Sequence, residues 1–305
     1  MVGTLDEAAC AAIADRVPGI VLVDPQAAQV EALLAWDVDG PRIAELIGRQ
    51  AGLRWLHLRF AGVPPEVLVA LRDHPAQMTN GSGAHGVAIA EYVLGVTLAH
   101  FKRLHDLRSA QVRSTWLAGQ TVRELRGTLA GVVGLGDLGR STARLLRACG
   151  VRLRGLRRSA ERCDEVDALF GPAELGAFLD GLDVLVIAAP LTAETRGLIG
   201  AAELARLAPG ALLVNVGRGP IVQEAALLGA LETGQLGGAA LDVFSVEPLP
   251  ADSPLWQAPG VFISPHCADA SPQSLERGFA ILLDNLERFA RGRPLRNVVD
   301  RAAGY

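Results

Sequence analysis

Short apolar runs and helix-length amphipathic stretches alternate along this chain almost from end to end. Gly19–Asp24 (GIVLVD) is a β-branched run that predicts a strand, and residues 27–35 read as helical. Leu53–Leu58 (LRWLHL) predicts another strand, followed by a glycine turn at Ala61–Val63. Pro64 and Pro65 then open a helix that runs through Arg72, since proline is tolerated in a first turn. Gln77–Thr79 is one more short strand, and Val87–Leu104 is a long apolar helix before a less regular stretch, Arg108–Arg126.

The pattern restarts more strongly at Thr128. Strands are expected at Leu129–Val133, Val151–Leu156, Asp183–Ala189, Ala211–Val216, Ala239–Val243 and Val261–Ser264. Helices are expected at Leu138–Cys149, Ala201–Arg206, Gln223–Thr233 and Ser271–Arg291. Asp183–Ala189 (DVLVIAA) is almost wholly apolar, as a strand covered on both faces must be. Strands and helices alternating at this spacing argue for the α/β class, with parallel sheets covered by helices. Two such units emerge, the second and better defined spanning roughly residues 97–272.

Composition narrows the picture. With 305 residues, half of them hydrophobic, the chain can bury a core in each of two domains. A net charge of −4 gives no basic face for a nucleic-acid partner. Cys10, Cys149, Cys163 and Cys267 form no CxxC pair, so neither a metal site nor a disulfide framework is expected, and their scatter fits a reducing compartment. Met1–Arg16 lacks the basic start and apolar run of a signal peptide. Apolar runs elsewhere are short and broken, so no membrane span is expected and the cytoplasm is the default location.

Gly134-Leu135-Gly136-Asp137-Leu138-Gly139 is a GxGxxG turn that follows a predicted strand and opens a predicted helix. Gly134 permits the tight turn, Gly136 lets a pyrophosphate approach the backbone, and Gly139 allows close helix–strand packing. Free N–H groups from Asp137 and Leu138 onward favour an anion. The next strand ends in Arg157-Arg158-Ser159, with no acid to take the ribose 2′-OH of NAD(H). Two guanidiniums and a hydroxyl either are solvated surface charge or receive a 2′-phosphate, and their position favours the phosphate of NADP(H), with NAD(H) as a possible second cofactor.

Three further segments, Leu213–Pro220 (LVNVGRGP), Ala240–Pro250 (ALDVFSVEPLP) and Ser264–Ala268 (SPHCA), each place a titratable residue just past the end of a predicted buried strand. They resemble the signature motifs of the D-isomer-specific 2-hydroxyacid dehydrogenase family, which includes glyoxylate and hydroxypyruvate reductases, D-lactate dehydrogenase and phosphoglycerate dehydrogenase. The likeness extends to Thr79–His85 (TNGSGAH), Ala90–Leu94 (AEYVL), Trp116, Glu124–Gly127 (ELRG), and Pro190-Leu191-Thr192 with Thr195, covering residues from about 53 to 290.

The resemblance implies a Rossmann cofactor domain, residues 97–272, inserted into a flavodoxin-like substrate domain made of residues 1–96 with 273–305 returning to it. It implies catalysis by Arg218, Glu247 and His266 on a 2-oxo or D-2-hydroxy acid. Arg218 would bind the carboxylate and polarise the carbonyl. His266 would exchange the proton, and Glu247 would orient its ring and favour the charged form. Asp242 would meet the nicotinamide end of the cofactor, with Pro190, Thr195, Val216, Gly217 and Ala268 lining its path. The glycine turn at Phe60–Val63 would offer backbone N–H groups from Ala61 and Gly62 to the carboxylate. Arg59 beside it reads either as a receptor for a second anionic group or, more simply, as surface charge. Cys267 reads as packing, and a homodimer built around the interdomain helices is implied.

Other functions fit less well. A formate dehydrogenase lacks the Glu–His pair. A phosphite dehydrogenase relies on a lysine in its first domain, whereas the only lysine here, Lys102, falls in the long apolar helix. A cofactor-sensing corepressor is expected to carry disordered tails, which this sequence does not show.

Overall fold

The structure is a computed structural model that describes residues 6–24, 27, 29–36, 38–159, 162–301 and 304. In chain order its elements are α1 (Glu7–Arg16), β1 (Ala32–Ala35), α2 (Gly40–Arg49), β2 (Trp55–Leu58), α3 (Pro65–Ala70), β3 (Gln77–Thr79), α4 (Gly86–Phe101) and α5 (Leu104–Val112). There follow β4 (Leu129–Val133), α6 (Asp137–Ala148), β5 (Arg152–Leu156), β6 (Ala168–Phe170), α7 (Leu175–Leu179), β7 (Val184–Ile187), α8 (Ala201–Leu204), β8 (Ala211–Asn215), α9 (Glu224–Glu232), β9 (Leu236–Leu241), β10 (Val261–Ile263) and α10 (Pro272–Ala290). The fold is α/β with parallel sheets, in two compact units: the chain to His85 together with Ser271 onward, and Gly86–Ala270. Among the described residues no helix is long and apolar enough to cross a membrane.

The second unit begins eleven residues before the expected 96/97 division, and the reason is packing. Ile89, Val93 and Val96 of α4 share a core with Ala143 and Leu146 of α6, so the helix stays with that unit over its whole length. The seven parallel strands of this unit run in the order β10-β9-β8-β7-β4-β5-β6. Successive residues face opposite sides of the sheet. Val184, Val186, Leu212 and Val214 enter one core, whereas Leu185, Ile187 and Leu213 enter the other. Each fully buried Leu, Ile or Val contributes about 1.5–3 kcal/mol. The chain reverses direction across the sheet between β4 and β7, which is where open α/β sheets bind ligands.

The first unit carries a sheet of three parallel strands, β1-β2-β3, with Thr79 forming an isolated antiparallel bridge to Val298. Three expectations are corrected here. The run 27–35 is not helical: Ala32–Ala35 pairs with Trp55–Leu58 as a strand, and pairing outweighs the helix propensity of its Ala and Leu residues. Residues 25, 26 and 28 lie outside the described set. Gly19–Asp24 forms no strand, and among the described residues the outer edge of β1 borders a cavity of about 540 Å³ lined by Ile20, Leu22, Leu34 and Leu286. The long apolar helix ends at Phe101, because Arg103 adopts φ 55°, and α5 starts afresh. Helices α1 and α2 carry clear start signals that the periodicity missed: Asp6 and Asp39 accept backbone N–H groups of Ala9 and Arg42, both at 2.8 Å.

Candidate functional site

Asn215, Leu241 and Ile263 stand side by side on β8, β9 and β10. Arg218, Asp242 and His266 therefore leave the sheet from one edge. Parallel strands lie about 4.8 Å apart, so the chains leading to Arg218 and His266 exit roughly 10 Å from each other.

The turn after β8 is shaped by Asn215, whose buried amide accepts from Gly217 N–H (3.1 Å) and donates to the Arg218 carbonyl (3.2 Å). A Cβ on Gly219 would sit 2.0 Å from the Phe244 carbonyl carbon, so only glycine lets this turn lie against the loop that carries Glu247. Arg218 is half-buried, and one of its terminal nitrogens donates to the Gly217 carbonyl (2.7 Å).

Glu247 is held at both oxygens. Oε1 accepts the Phe244 N–H (2.8 Å), and Oε2 lies 2.7 Å from His266 Nδ1. A carboxylate accepts only, so Nδ1 carries the proton of that bond and Nε2 is left to exchange one with a ligand. The pair stays reachable from solvent, with side chains 46% and 35% exposed for His266 and Glu247.

His266 itself sits at φ 52°, a backbone state that costs a non-glycine residue about 1–2 kcal/mol. The turn is wrapped on the Asp242 carboxylate, which is 3% exposed. Oδ1 accepts the Ser264 hydroxyl (2.6 Å) and the Cys267 N–H (2.9 Å), while Oδ2 accepts the Ala268 N–H (3.1 Å). Tyr92, from α4, places its hydroxyl 2.7 Å from Ser264 Oγ. Burial pushes that phenol up to about 12. Desolvation and the Asp242 charge push the Cys267 thiol up as well, which keeps it protonated at neutral pH and unsuited to nucleophilic work.

The glycine turn follows β4. Gly134 has φ 88°, and a Cβ there would press on Ala189 at 2.7 Å; a Cβ on Gly139 would sit 1.9 Å from the Gly134 carbonyl oxygen. Gly136 differs: a Cβ would meet nothing within 4 Å, so its bare backbone faces open space as the N-cap of α6. A pyrophosphate fits such a cradle, lying against backbone N–H groups at the positive end of a twelve-residue helix. The Asp137 carboxylate is engaged elsewhere, accepting the Gly86 N–H at the start of α4 (3.1 Å).

Arg157, half-buried, and Arg158 and Ser159, both exposed, lie just past β5. The loop after β7 is knitted by Thr195, which donates to the Pro190 carbonyl (2.7 Å) and accepts the Thr192 N–H (2.8 Å). Glu194 in that loop is held below the usual carboxylate range, first by the Thr192 hydroxyl, with the Arg158 charge contributing. Val216 and Gly217 are buried and Ala268 half-buried at the same sheet edge.

The residues expected on the substrate side belong to the first unit. The Ala61 carbonyl accepts from the Asn80 side chain (2.8 Å), and Gly62 is half-buried. Arg59 is half-buried, its guanidinium 5.5 Å from the Trp36 ring centre and 4.8 Å from that of Phe60. Of the residues expected from sequence, Glu247 and His266 touch directly, and Arg218, Asp242 and the glycine turn share their unit. The Tyr92–Ser264 contact was missed, since its members stand 172 residues apart.

The model for the D-isomer specific 2-hydroxyacid dehydrogenase NAD binding domain matches residues 94–268. A glyoxylate/hydroxypyruvate reductase A of Klebsiella pneumoniae (strain 342) is 37% identical over 274 residues, covering 87% of this chain and 85% of the relative. Among solved structures, an NADPH-dependent glyoxylate/hydroxypyruvate reductase from Sinorhizobium meliloti, in complex with NADP and sulfate, is 30% identical with a TM-score of 0.85, covering 98% and 96% of the two chains. A D-isomer specific 2-hydroxyacid dehydrogenase from Xanthobacter autotrophicus Py2, in complex with NADPH and MES, is 32% identical with a TM-score of 0.84, covering 99% and 96%. Matched over most of its length in motif, identity and fold, the chain belongs to the D-isomer-specific 2-hydroxyacid dehydrogenase family.

Proposed function

We propose that this protein is an NADP(H)-dependent reductase of small 2-oxo acids of the glyoxylate and hydroxypyruvate kind, yielding D-2-hydroxy acids where the product is chiral. The observation that carries the reading is the Glu247–His266 dyad, two strands from Arg218 at the same sheet edge as the glycine turn. When bound, the reduced nicotinamide supplies the hydride. Arg218 holds the substrate carboxylate and draws charge from the carbonyl, a task suited to a planar, permanently charged fork. His266 gives the Nε2 proton to the carbonyl oxygen, while Glu247 fixes the ring and stabilises its charged form. Asp242 holds the turn beneath the nicotinamide end. Arg157, Arg158 and Ser159 receive the 2′-phosphate, and backbone N–H groups at Ala61 and Gly62 meet the carboxylate. Arg59 reads the polar far end of the substrate. The phosphite dehydrogenase alternative has no support, because Lys102 lies on the second unit and donates to the Arg123 carbonyl (2.8 Å).

The test is the loss of reduced-cofactor absorbance with NADPH and NADH in parallel, over glyoxylate, hydroxypyruvate, pyruvate, phenylpyruvate, oxaloacetate and a phosphonate-bearing 2-oxo acid. Turnover of glyoxylate and hydroxypyruvate with NADPH, about tenfold or more above NADH, is the expected result. Protein that binds NADPH yet reduces none of the panel would turn the assignment toward cofactor sensing.

A homodimer is part of the same reading. Leu104, Leu107, Val112, Trp116 and Val122 project apolar surface from α5 and the segment after it, and Trp116 is 93% exposed. Clustered apolar exposure of this kind marks an interaction surface, and a second copy of the chain supplies an equally apolar one. Light scattering should give twice the chain mass for the native protein and one chain mass for a Leu107→Glu/Trp116→Glu variant. A native monomer would remove the dimer.

A further inference from the structure

We propose that Tyr92 is a positioning residue for the proton-transferring turn, acting through Ser264 and Asp242; the inference rests on the role assigned above to His266. The direction of the hydrogen bonds fixes the order of the chain. Ser264 has one hydroxyl proton, and it is committed to Asp242 Oδ1 at 2.6 Å. The Tyr92 hydroxyl, 2.7 Å from Ser264 Oγ, must therefore be the donor in the outer bond. The Asp242 carboxylate also accepts the Cys267 and Ala268 N–H groups at 2.9 and 3.1 Å. The turn is thus fastened on both sides of His266, at Ser264 before it and at Cys267 and Ala268 after it. His266, at φ 52°, has no backbone preference of its own to hold that shape.

Tyr92 is the member of this chain that comes from a distant element. Its helix, α4, begins at Gly86, whose N–H is bonded to Asp137 in the glycine turn (3.1 Å), and its buried side packs along α6. One helix therefore touches the dinucleotide turn at its first residue and the His266 turn six residues later. Through Tyr92 the position of the proton donor is referred to the same rigid element as the pyrophosphate cradle. Proton delivery to a carbonyl oxygen and hydride delivery to the adjacent carbon need a fixed mutual geometry, and misplacement by a fraction of an ångström slows the chemical step.

Tyr92→Phe keeps the ring and removes the hydroxyl. In substrate-free protein, amide exchange at Cys267 and Ala268 should accelerate about threefold or more, whatever the reaction catalysed. In turnover, kcat should fall about 3- to 10-fold, the worth of one hydrogen bond, with KM for the 2-oxo acid within about twofold. The isotope effect on kcat with deuterated NADPH should rise, which a mere loss of folded enzyme would not cause. Ser264→Ala should cost more, Ser264→Thr should recover most of the loss, and adding Tyr92→Phe to Ser264→Ala should cost nothing further, because the two act in series. Unchanged amide exchange and an unchanged isotope effect in Tyr92→Phe, or costs that add in the double variant, would overturn the proposal. If the native protein reduces no 2-oxo acid while the amides still respond, the reductase reading falls and the positioning role stands.

Discussion

His266→Asn should lower kcat by about 10²- to 10⁴-fold while leaving the dissociation constant for NADPH within a few-fold of native. Asparagine can still meet Glu247, which lies 2.7 Å from Nδ1, so the loop need not move. What it lacks is a proton to give on the other side. The cofactor cradle around Gly134 and Gly136 stands on other strands and is untouched. Arg218→Ala should be at least as severe in kcat/KM but should divide differently. In its proposed role the guanidinium holds the carboxylate in the ground state and meets the growing charge on the oxygen, so KM should rise as kcat falls. Arg218→Lys should recover little, because an ammonium cannot grip the carboxylate as a fork. Glu247→Gln should fall between native and His266→Asn, since the ring keeps its proton but loses the charge that stabilises the imidazolium. Steady-state rates with fluorescence titration of NADPH separate these outcomes. A His266→Asn enzyme retaining a tenth of native kcat would mean that water supplies the proton and the dyad is structural.

Some of this site was legible in the sequence and some was not, and the difference is physical. The glycine turn could be read because local sterics impose it: Gly134 needs its positive φ, and Gly139 faces a carbonyl at a distance no Cβ tolerates. The buried strands β4, β7 and β8 could be read because burial on both faces demands an unbroken apolar run. Residues 27–35 misled because Ala and Leu suit a helix until β2 offers Ala32–Ala35 an edge to pair with. Gly19–Asp24 has strand composition yet forms no strand, because a β-branched run reports how side chains fit a sheet and not whether the backbone pairs. The break between α4 and α5 turns on one residue, Arg103, whose left-handed backbone no periodicity reports. Arg59 stayed open between an anion receptor and surface charge, because of the two rings that flank it, Phe60 is its neighbour but Trp36 stands 23 positions upstream. The Asp242–Ser264–Tyr92 chain is the extreme case: the sequence singles out Asp242 but neither Ser264 nor Tyr92, and only the fold makes them one group.

Cofactor choice should invert when Arg157→Asp is combined with Arg158→Ser. A charge-assisted hydrogen bond contributes about 1.5–3 kcal/mol, so each guanidinium on a phosphate is worth about 10- to 100-fold in affinity. Losing both should weaken NADPH by about 10²- to 10³-fold, allowing for the exposure of Arg158. In the proposed reading the new carboxylate at 157 would stand where an acid takes the ribose 2′-OH, so NADH should bind more tightly at the same time. The ratio of kcat/KM for the two cofactors is the quantity to follow, since losses from a damaged fold cancel in it. The kcat at saturating cofactor should change little, because both residues leave β5, at the far side of the β4–β7 switch from His266 and Arg218. The single variants then apportion the effect. Arg157 is half-buried and its backbone N–H is tied to the Phe170 carbonyl (3.1 Å), whereas Arg158 is exposed and interacts with Glu194 across the loop after β7. The better-anchored Arg157 has less freedom to lose on binding and should carry the larger share of the discrimination. Should the ratio stay at its native value in the double variant, the 2′-phosphate is read by groups other than these, and Arg157 and Arg158 revert to solvated surface charge.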